Sequence, residues 1–285
     1  MTKLSLAKWF LARSDIEAAV KLLTMYPNED LMAYAHRFWP QYFFADAYAG
    51  VYNTAGSIEA ATPDAYDVVA YSWRLQMARA FFQSHPDLHK ALDFGCSRAY
   101  YSVHLANTTL VKNWLCMDID AQSTNSARAT CQAHANFPGA FGFVTGTEDD
   151  IPVGSYQAAL LFEVLEHVVN PRKILAKIES LMAPNGYVVI SLPSGPVEYT
   201  MWVDQPHRNR EHIREYTVED IYDVFGHKPE FFVSYVSYGP NRYMPAMLDG
   251  CFFITYRQSS EPIREINWAR KLAREGVPGV VLPGN

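Results

Sequence analysis

The sequence predicts an α/β fold, a doubly wound and mostly parallel seven-stranded sheet preceded by a small helical appendage. Three observations carry this. After His85-Pro86 the pattern changes to short apolar runs alternating with longer amphipathic ones, the mark of repeated βαβ units. Between the fourth and fifth runs, residues 171–182 place Ile174, Leu175, Ile178, Leu181 and Met182 at helical spacing and stop at Pro184-Asn185-Gly186, a breaker and C-cap. Two further runs follow a last helix and are expected to pair antiparallel as the closing edge.

In chain order, residues 1–65 are rich in Ala, Leu, Tyr and Trp, and Ser14 with Glu17 has capping-box spacing ahead of a helical run through Leu23. This segment is read as a helical cap. A helix is expected over Asp67–Gln83. The strands are expected at Lys90–Phe94, Trp114–Ile119, Phe141–Thr145, Ala158–Phe162 and Tyr187–Leu192, then Phe231–Tyr238 and Cys251–Tyr256 after a helix at Val218–Phe225. The sheet domain therefore spans residues 66–258, and residues 259–285 form a C-terminal extension with a Gly/Pro-rich end.

Composition narrows the function. With 285 residues and 49% hydrophobic content the chain folds around a substantial core, which excludes disorder as its dominant state. Lys and Arg number 24 against 30 Asp and Glu, a net charge of −6. A protein that grips many backbone phosphates carries a basic footprint, so nucleic acid is disfavoured as a partner. Cys96, Cys116, Cys131 and Cys251 lack CxxC spacing and read as buried small hydrophobes in a reducing compartment. No stretch reaches the roughly 18 consecutive apolar residues of a membrane span, and a cytoplasmic protein with no membrane partner is the expectation.

In an open α/β sheet, ligands bind beyond the carboxyl ends of the strands. The first strand runs into Asp93-Phe-Gly95-Cys-Ser97-Arg-Ala99, an acid followed by a small-residue turn that opens a helix at about Tyr100. The second ends at Asp118, where an acid accepts ribose hydroxyls. A dinucleotide needs a G-x-G-x-x-G turn for its pyrophosphate, yet this turn offers only Gly95 and sets Asp93 beside the pocket. An acid there suits an ammonium. The ligand expected is a nucleoside joined to a zwitterionic amino acid, S-adenosylmethionine.

From Gly146 the chain reads GTEDDIPVGSYQAALLFEVLEHVVNPRKILAKIESLMAPNGYVVISLP. Together with the turn after Asp93 and the CMDID strand end, it resembles the class I S-adenosylmethionine-dependent methyltransferases, in particular the type 11, 12 and 23 methyltransferase domains, over about residues 88–257. The resemblance implies a Rossmann-like sheet, with S-adenosylhomocysteine as the product. It also implies that Asp93, Gly95, Ser97 and Ala99 hold the methionine part and Asp118 the ribose. Thr147, Glu148 and Asp149 then meet the adenine edge, with Ile119 and Phe162 completing the set. Glycine is usual in that family where Ser97 and Ala99 stand. Both replacements are small and tolerate a close ligand approach provided that neither position needs a positive φ.

Methyl transfer requires exclusion of water, alignment of the nucleophile and removal of its proton. Glu163 and His167, four apart, are expected on one helical face with Glu166 nearby. As a metal site, two carboxylates and an imidazole suit Zn²⁺ or Mn²⁺ better than Mg²⁺. As a structural element, the similar LEH of many metal-free methyltransferases implies a histidine that orients the site. The segment His212-Ile-Arg-Glu-Tyr-Thr217 resembles a pattern in metal-dependent small-RNA 2′-O-methyltransferases, where a histidine completes an ExxEH, and ubiquinone-pathway O-methyltransferases carry a similar EVxEH. That resemblance implies His212 as a fourth ligand to a divalent metal. His167, His207 and His212 are thus the catalytic candidates, His207 as general base.

The long connection after Pro193 carries Tyr199, Trp202, Arg208, Arg210 and Arg214, side chains suited to an anionic or sugar-like small-molecule acceptor. The same charges also fit a solvated loop with Glu211 and Glu215 as partners. Trp39, Tyr42, Phe43 and Tyr66 read as core or as an acceptor wall. O-methylation of a small polar, aromatic or sugar-like molecule is the leading expectation. The alternatives are a metal-dependent RNA 2′-O-methyltransferase and a non-catalytic S-adenosylmethionine-binding or regulatory module.

Overall fold

The computed structural model describes residues 65–70, 72–168, 171–194, 216–240 and 248–264. Two helices lead in, α1 (Ala65–Ala70) and α2 (Trp73–Ser84). The single helix expected over this stretch is broken at Ser72, whose hydroxyl oxygen accepts from the Leu75 amide at 3.2 Å and caps α2. A serine side chain in this place satisfies an orphan amide of a new helix, so the chain restarts there.

The strands are β1 (Lys90–Phe94), β2 (Asn113–Asp118), β3 (Phe141–Thr145), β4 (Tyr156–Phe162), β5 (Met182–Pro193), β6 (Phe232–Pro240) and β7 (Leu248–Arg257). The intervening helices are α3 (Tyr100–Thr108), α4 (Ala121–His134), α5 (Pro171–Leu181) and α6 (Val218–Phe225). All seven strands form one sheet in the order β3-β2-β1-β4-β5-β7-β6. The first five run parallel, and β7 pairs antiparallel with both β5 and β6, which is the architecture the sequence predicts.

Burial alternates along each strand into two cores. Leu92, Ala159, Leu161, Val188 and Ile190 pack with Leu175, Ile178, Ile221 and Phe225 of α5 and α6. Ala91, Ala158, Leu160, Val189 and Phe253 pack with Leu75, Phe82, Val103 and Ala127 of α2, α3 and α4. Strands covered on both faces need apolar residues at successive positions, which is why they appear in the sequence as unbroken runs.

The start of β5 also differs from the sequence reading. α5 stops at Leu181, and β5 begins at Met182 rather than Tyr187. The Pro184-Asn185-Gly186 breaker sits inside a register jump, between Tyr156 opposite Met182 and Ala158 opposite Tyr187. Asn185 takes a left-handed φ of 64°, a conformation in which asparagine is enriched. Past β7 the chain packs back: Lys228 Nζ donates to Glu179 Oε1 at 2.7 Å and to the Glu261 carbonyl, and Ile263 is buried.

Ser14, Glu17, Trp39, Tyr42 and Phe43 lie outside the described residues, as do the segment 195–215 and the tail from 265. Among the described residues no helix is long and apolar enough to cross a membrane. The chain proceeds from β1 toward β2 and β3 on one side, and from β4 to β5 on the other. The resulting switch point lies between β1 and β4, where a crevice opens at the strand carboxyl ends.

Candidate cofactor and acceptor site

The turn from β1 to α3 alternates in handedness: Gly95, Ser97 and Ala99 have φ of 74°, 47° and 56°. Gly95 is required twice over, since a Cβ there would stand 2.6 Å from Val164 Cγ2 as well as in a left-handed conformation. Ser97 and Ala99 do need positive φ, contrary to the condition under which the sequence reading allowed them. For L-residues this costs roughly 1–2 kcal/mol each. Hydrogen bonds hold the turn in place. The Gly95 and Cys96 amides donate to Met117 O at 2.8 and 2.9 Å, the Ala99 amide to Cys96 O at 2.7 Å, and the Ser97 amide to Asp118 Oδ2 at 2.8 Å.

Two carboxyls lie at the base of this turn, Asp93 at 5% and Asp118 at 7% exposure. Burial pushes the Asp93 carboxyl up to about 7; a hydrogen bond from the Ser102 hydroxyl opposes this and the charge of Asp118 adds to it. Asp118 is likewise raised by burial, against the amides of Asp120 and Ser97, which donate to its two oxygens. Buried acids held in this way are short of positive charge and of further donors. An ammonium beside Asp93 and hydroxyls on the remaining lone pairs of Asp118 supply both, so the residues fit an amino-acid nucleoside.

The third wall is the turn after β3. Gly146 N donates to Asp118 O at 3.0 Å, fastening the ends of β2 and β3 together. Thr147 then caps a short 3-10 turn, Glu148–Asp150, with Asp150 closing a capping box onto the Thr147 amide. The carboxylates of Glu148 and Asp149 are drawn to α5, Glu148 to Lys173 at 2.6 Å and Asp149 to Lys177 at 3.5 Å. Ile119 follows Asp118 and is 37% exposed, a large apolar side chain left at the mouth.

Across the switch point β4 ends at Phe162, half-buried and edge-on to Tyr101 with centroids 5.0 Å apart. Glu163 follows with φ 55°, and its backbone amide bonds Ser191 O. This left-handed residue turns the chain, so Glu163 to Val168 form turns rather than the helix that the i, i+4 spacing predicts. The side chains consequently separate. Glu163 Oε2 pairs with Arg74 Nη2 at 3.0 Å, and its Oε1 accepts from Ser191 Oγ at 2.9 Å and Cys251 Sγ at 3.5 Å. Glu166 is fully buried, with its Oε1 3.7 Å from His167 Nε2.

Among the described residues no group of three or more His, Cys, Asp or Glu side chains could hold a metal ion. The described members of the predicted metal set do not fit one because Glu163 is committed to Arg74. His212 and His207 lie outside the described residues.

A family model described as a methyltransferase domain matches residues 69–231, more than half of the chain and all three walls of the crevice. The chain belongs to this family, the class I S-adenosylmethionine-dependent methyltransferases. No curated protein sequence matches it. Solved structures similar to this methyltransferase include the cyclase SpnF (14% identity, 66% of this chain and 82% of that one, TM-score 0.51). The MccD protein is similar at 11% identity, covering 65% of this chain and 97% of its own, with TM-score 0.51. The N-methyltransferase NodS from Bradyrhizobium japonicum, solved with S-adenosylhomocysteine, is similar at 12% identity (73% and 98% covered, TM-score 0.50). At these identities the likeness concerns the fold.

The methyltransferase fold thus brings Asp93, Gly95, Ser97, Ala99, Asp118, Ile119 and Thr147 to one end of the sheet, with Phe162 across the switch point at the end of β4. Sequence reasoning missed Arg74. Its one signal was position: Arg74 lies four residues before buried Ala78 and so falls on the packed face of α2.

Proposed function

We propose that this methyltransferase holds S-adenosylmethionine between Asp93 and Asp118 and methylates an oxygen of a small polar or aromatic acceptor. The observation that carries the reading is the pair of buried carboxyls beneath a left-handed turn at the switch point. When bound, the cofactor supplies a sulfonium methyl for in-line displacement. The chain's own contributions are positional. Asp93 receives the ammonium, Asp118 the ribose hydroxyls, and the Thr147–Asp149 turn with Ile119 receives the adenine. Phe162 and Tyr101 form an apolar wall beyond β4 that excludes water from the reacting centre.

The net charge of −6 supports a small acceptor over RNA, whose binding rests on phosphate neutralisation. Calorimetric titration with S-adenosylhomocysteine tests the cofactor half without a known acceptor. Binding at micromolar strength, about −8 kcal/mol, is expected. No detectable heat at saturating ligand, together with no protection against thermal unfolding, refutes the reading and favours a module that has lost the cofactor.

A further inference from the structure

Arg74 occupies an unusual place. It stands on the packed face of α2, its side chain 23% exposed, beside a Glu163 carboxylate 29% exposed at the carboxyl end of β4. The guanidinium spends one edge on Glu163 and reaches the Cys251 thiol, while its Nε–H is buried without an acceptor among the described residues. Burial pushes the Cys251 thiol up to about 12, so it stays neutral and leaves Glu163 as the anion paired with Arg74. An unsatisfied buried donor on a charged group is destabilising, because its lost hydration is not replaced. A cationic side chain left 23% exposed at the carboxyl end of β4, with one donor unanswered, can take an acceptor atom from a ligand.

The surroundings define the shape of what fills it. Trp73 meets Phe253 edge-on at 6.2 Å, Phe253 lies 6.3 Å from Phe162, and Phe162 meets Tyr101 at 5.0 Å. Trp73, Tyr101 and Phe162 are each half-buried, packed against the core around Phe253 on one side and left partly open on the other. Arg74 lies within electrostatic reach of Tyr101, at one end of this row, and Trp73 precedes it on α2. Flat apolar walls with a planar cationic fork match a ring that bears a carboxylate.

We infer that the methyl acceptor is an aromatic carboxylate, anchored through its carboxylate by Arg74 against the Trp73–Tyr101–Phe162 wall. Glu163 acts as a positioning residue that holds the guanidinium in place and competes with the incoming anion. This rests on the proposed methyltransferase reading of the same crevice, and it adds the chemical class of the acceptor.

The test uses the full chain in a calorimeter, first with S-adenosylhomocysteine alone, then with 1-naphthoate or its neutral isostere 1-naphthamide, each with and without S-adenosylhomocysteine. The expected result is at least about tenfold tighter binding of naphthoate than of naphthamide. Arg74→Met should abolish that preference while changing S-adenosylhomocysteine affinity by less than about twofold. Glu163→Gln should tighten naphthoate several-fold, because the internal competitor loses its charge; a merely structural ion pair would not produce that gain. Melting curves of both variants check that they fold. Equal binding of acid and amide, no binding of either, or weaker naphthoate binding by Glu163→Gln overturns the inference. Failure of S-adenosylhomocysteine to bind, with naphthoate preference intact in its absence, instead sinks the cofactor reading and leaves the anion site standing.

Discussion

Replacing Asp93 by Asn should stabilise the ligand-free protein at alkaline pH and weaken its cofactor. The carboxyl lies 5% exposed, and burial lifts it from 3.8 to about 7, against the Ser102 hydrogen bond and with help from the charge of Asp118. A raised folded-state pKa means that the folded protein holds this proton more tightly than the unfolded chain does. The associated stability is fully present below the unfolded value near 3.8 and is lost as pH rises through about 7. Each unit of separation corresponds to 1.36 kcal/mol, and integration of the folded-state proton occupancy between pH 6 and 8 gives a loss of about 1.4 kcal/mol. Asparagine keeps an acceptor for Ser102 and carries no charge, so this loss should vanish in Asp93→Asn apart from the smaller contribution of Asp118. Urea unfolding at a series of pH values from 6 to 8.5 measures it. In the same variant S-adenosylhomocysteine should bind more weakly, because the ammonium loses its counter-charge; in the parent, binding should release protons near pH 7 and strengthen as pH rises. Parallel pH slopes for parent and variant would refute the assignment of a buried, proton-holding carboxyl. A stabilised variant with undiminished affinity would refute its role toward the ammonium.

Other substitutions follow from the same geometry. Ser97→Gly should raise stability by about 0.5–1 kcal/mol, as relief of roughly 1–2 kcal/mol of left-handed strain outweighs the added unfolded-state freedom of about 0.4–1 kcal/mol. Ala99→Gly gains the same relief but loses a buried methyl worth about 0.8 kcal/mol, so its net effect should be close to zero; equal urea midpoints for the two variants would contradict this difference. Lys228→Met strands Glu179 without its cation and should cost about 3–5 kcal/mol, largely recovered by adding Glu179→Leu. His104, lowered by burial against its hydrogen bond to Tyr66 O, stacks on the Tyr66 ring at 4.0 Å. Its folded state takes the proton less readily, so the contribution is present above the ordinary 6.5 and is lost as pH falls through it. Protection factors of the α1 amides, corrected for the intrinsic exchange rate, should therefore fall below pH 6.5 in the parent and not in His104→Gln.

Much of this architecture is written locally. The strands needed no partner information, because a strand sandwiched between helices must be apolar throughout, and Asp93 and Asp118 stood out as acids ending such runs. The split of the first helix and the early start of β5 came from side chains acting at single positions, Ser72 capping α2 and Asn185 bending β5. Backbone handedness was not legible. Nothing in the residue types Ser97, Ala99 and Glu163 encodes a positive φ; it is imposed by hydrogen bonds from β2 and β5 that exist only once the sheet has formed.

That same handedness decides what the ExxEH segment can do. Its i, i+4 spacing places Glu163 and His167 together only on a helix, and the left-handed Glu163 sends the carboxylate toward α2 instead. The residue it meets, Arg74, is far away in sequence and belongs to no motif. A crevice that reads along the chain as a metal site becomes in three dimensions an ion pair on an aromatic wall. Site inference from spacing holds only where the intervening backbone keeps its period. At the end of β4, where Glu163 is left-handed, it does not, and such departures are where a fold stores what its function requires.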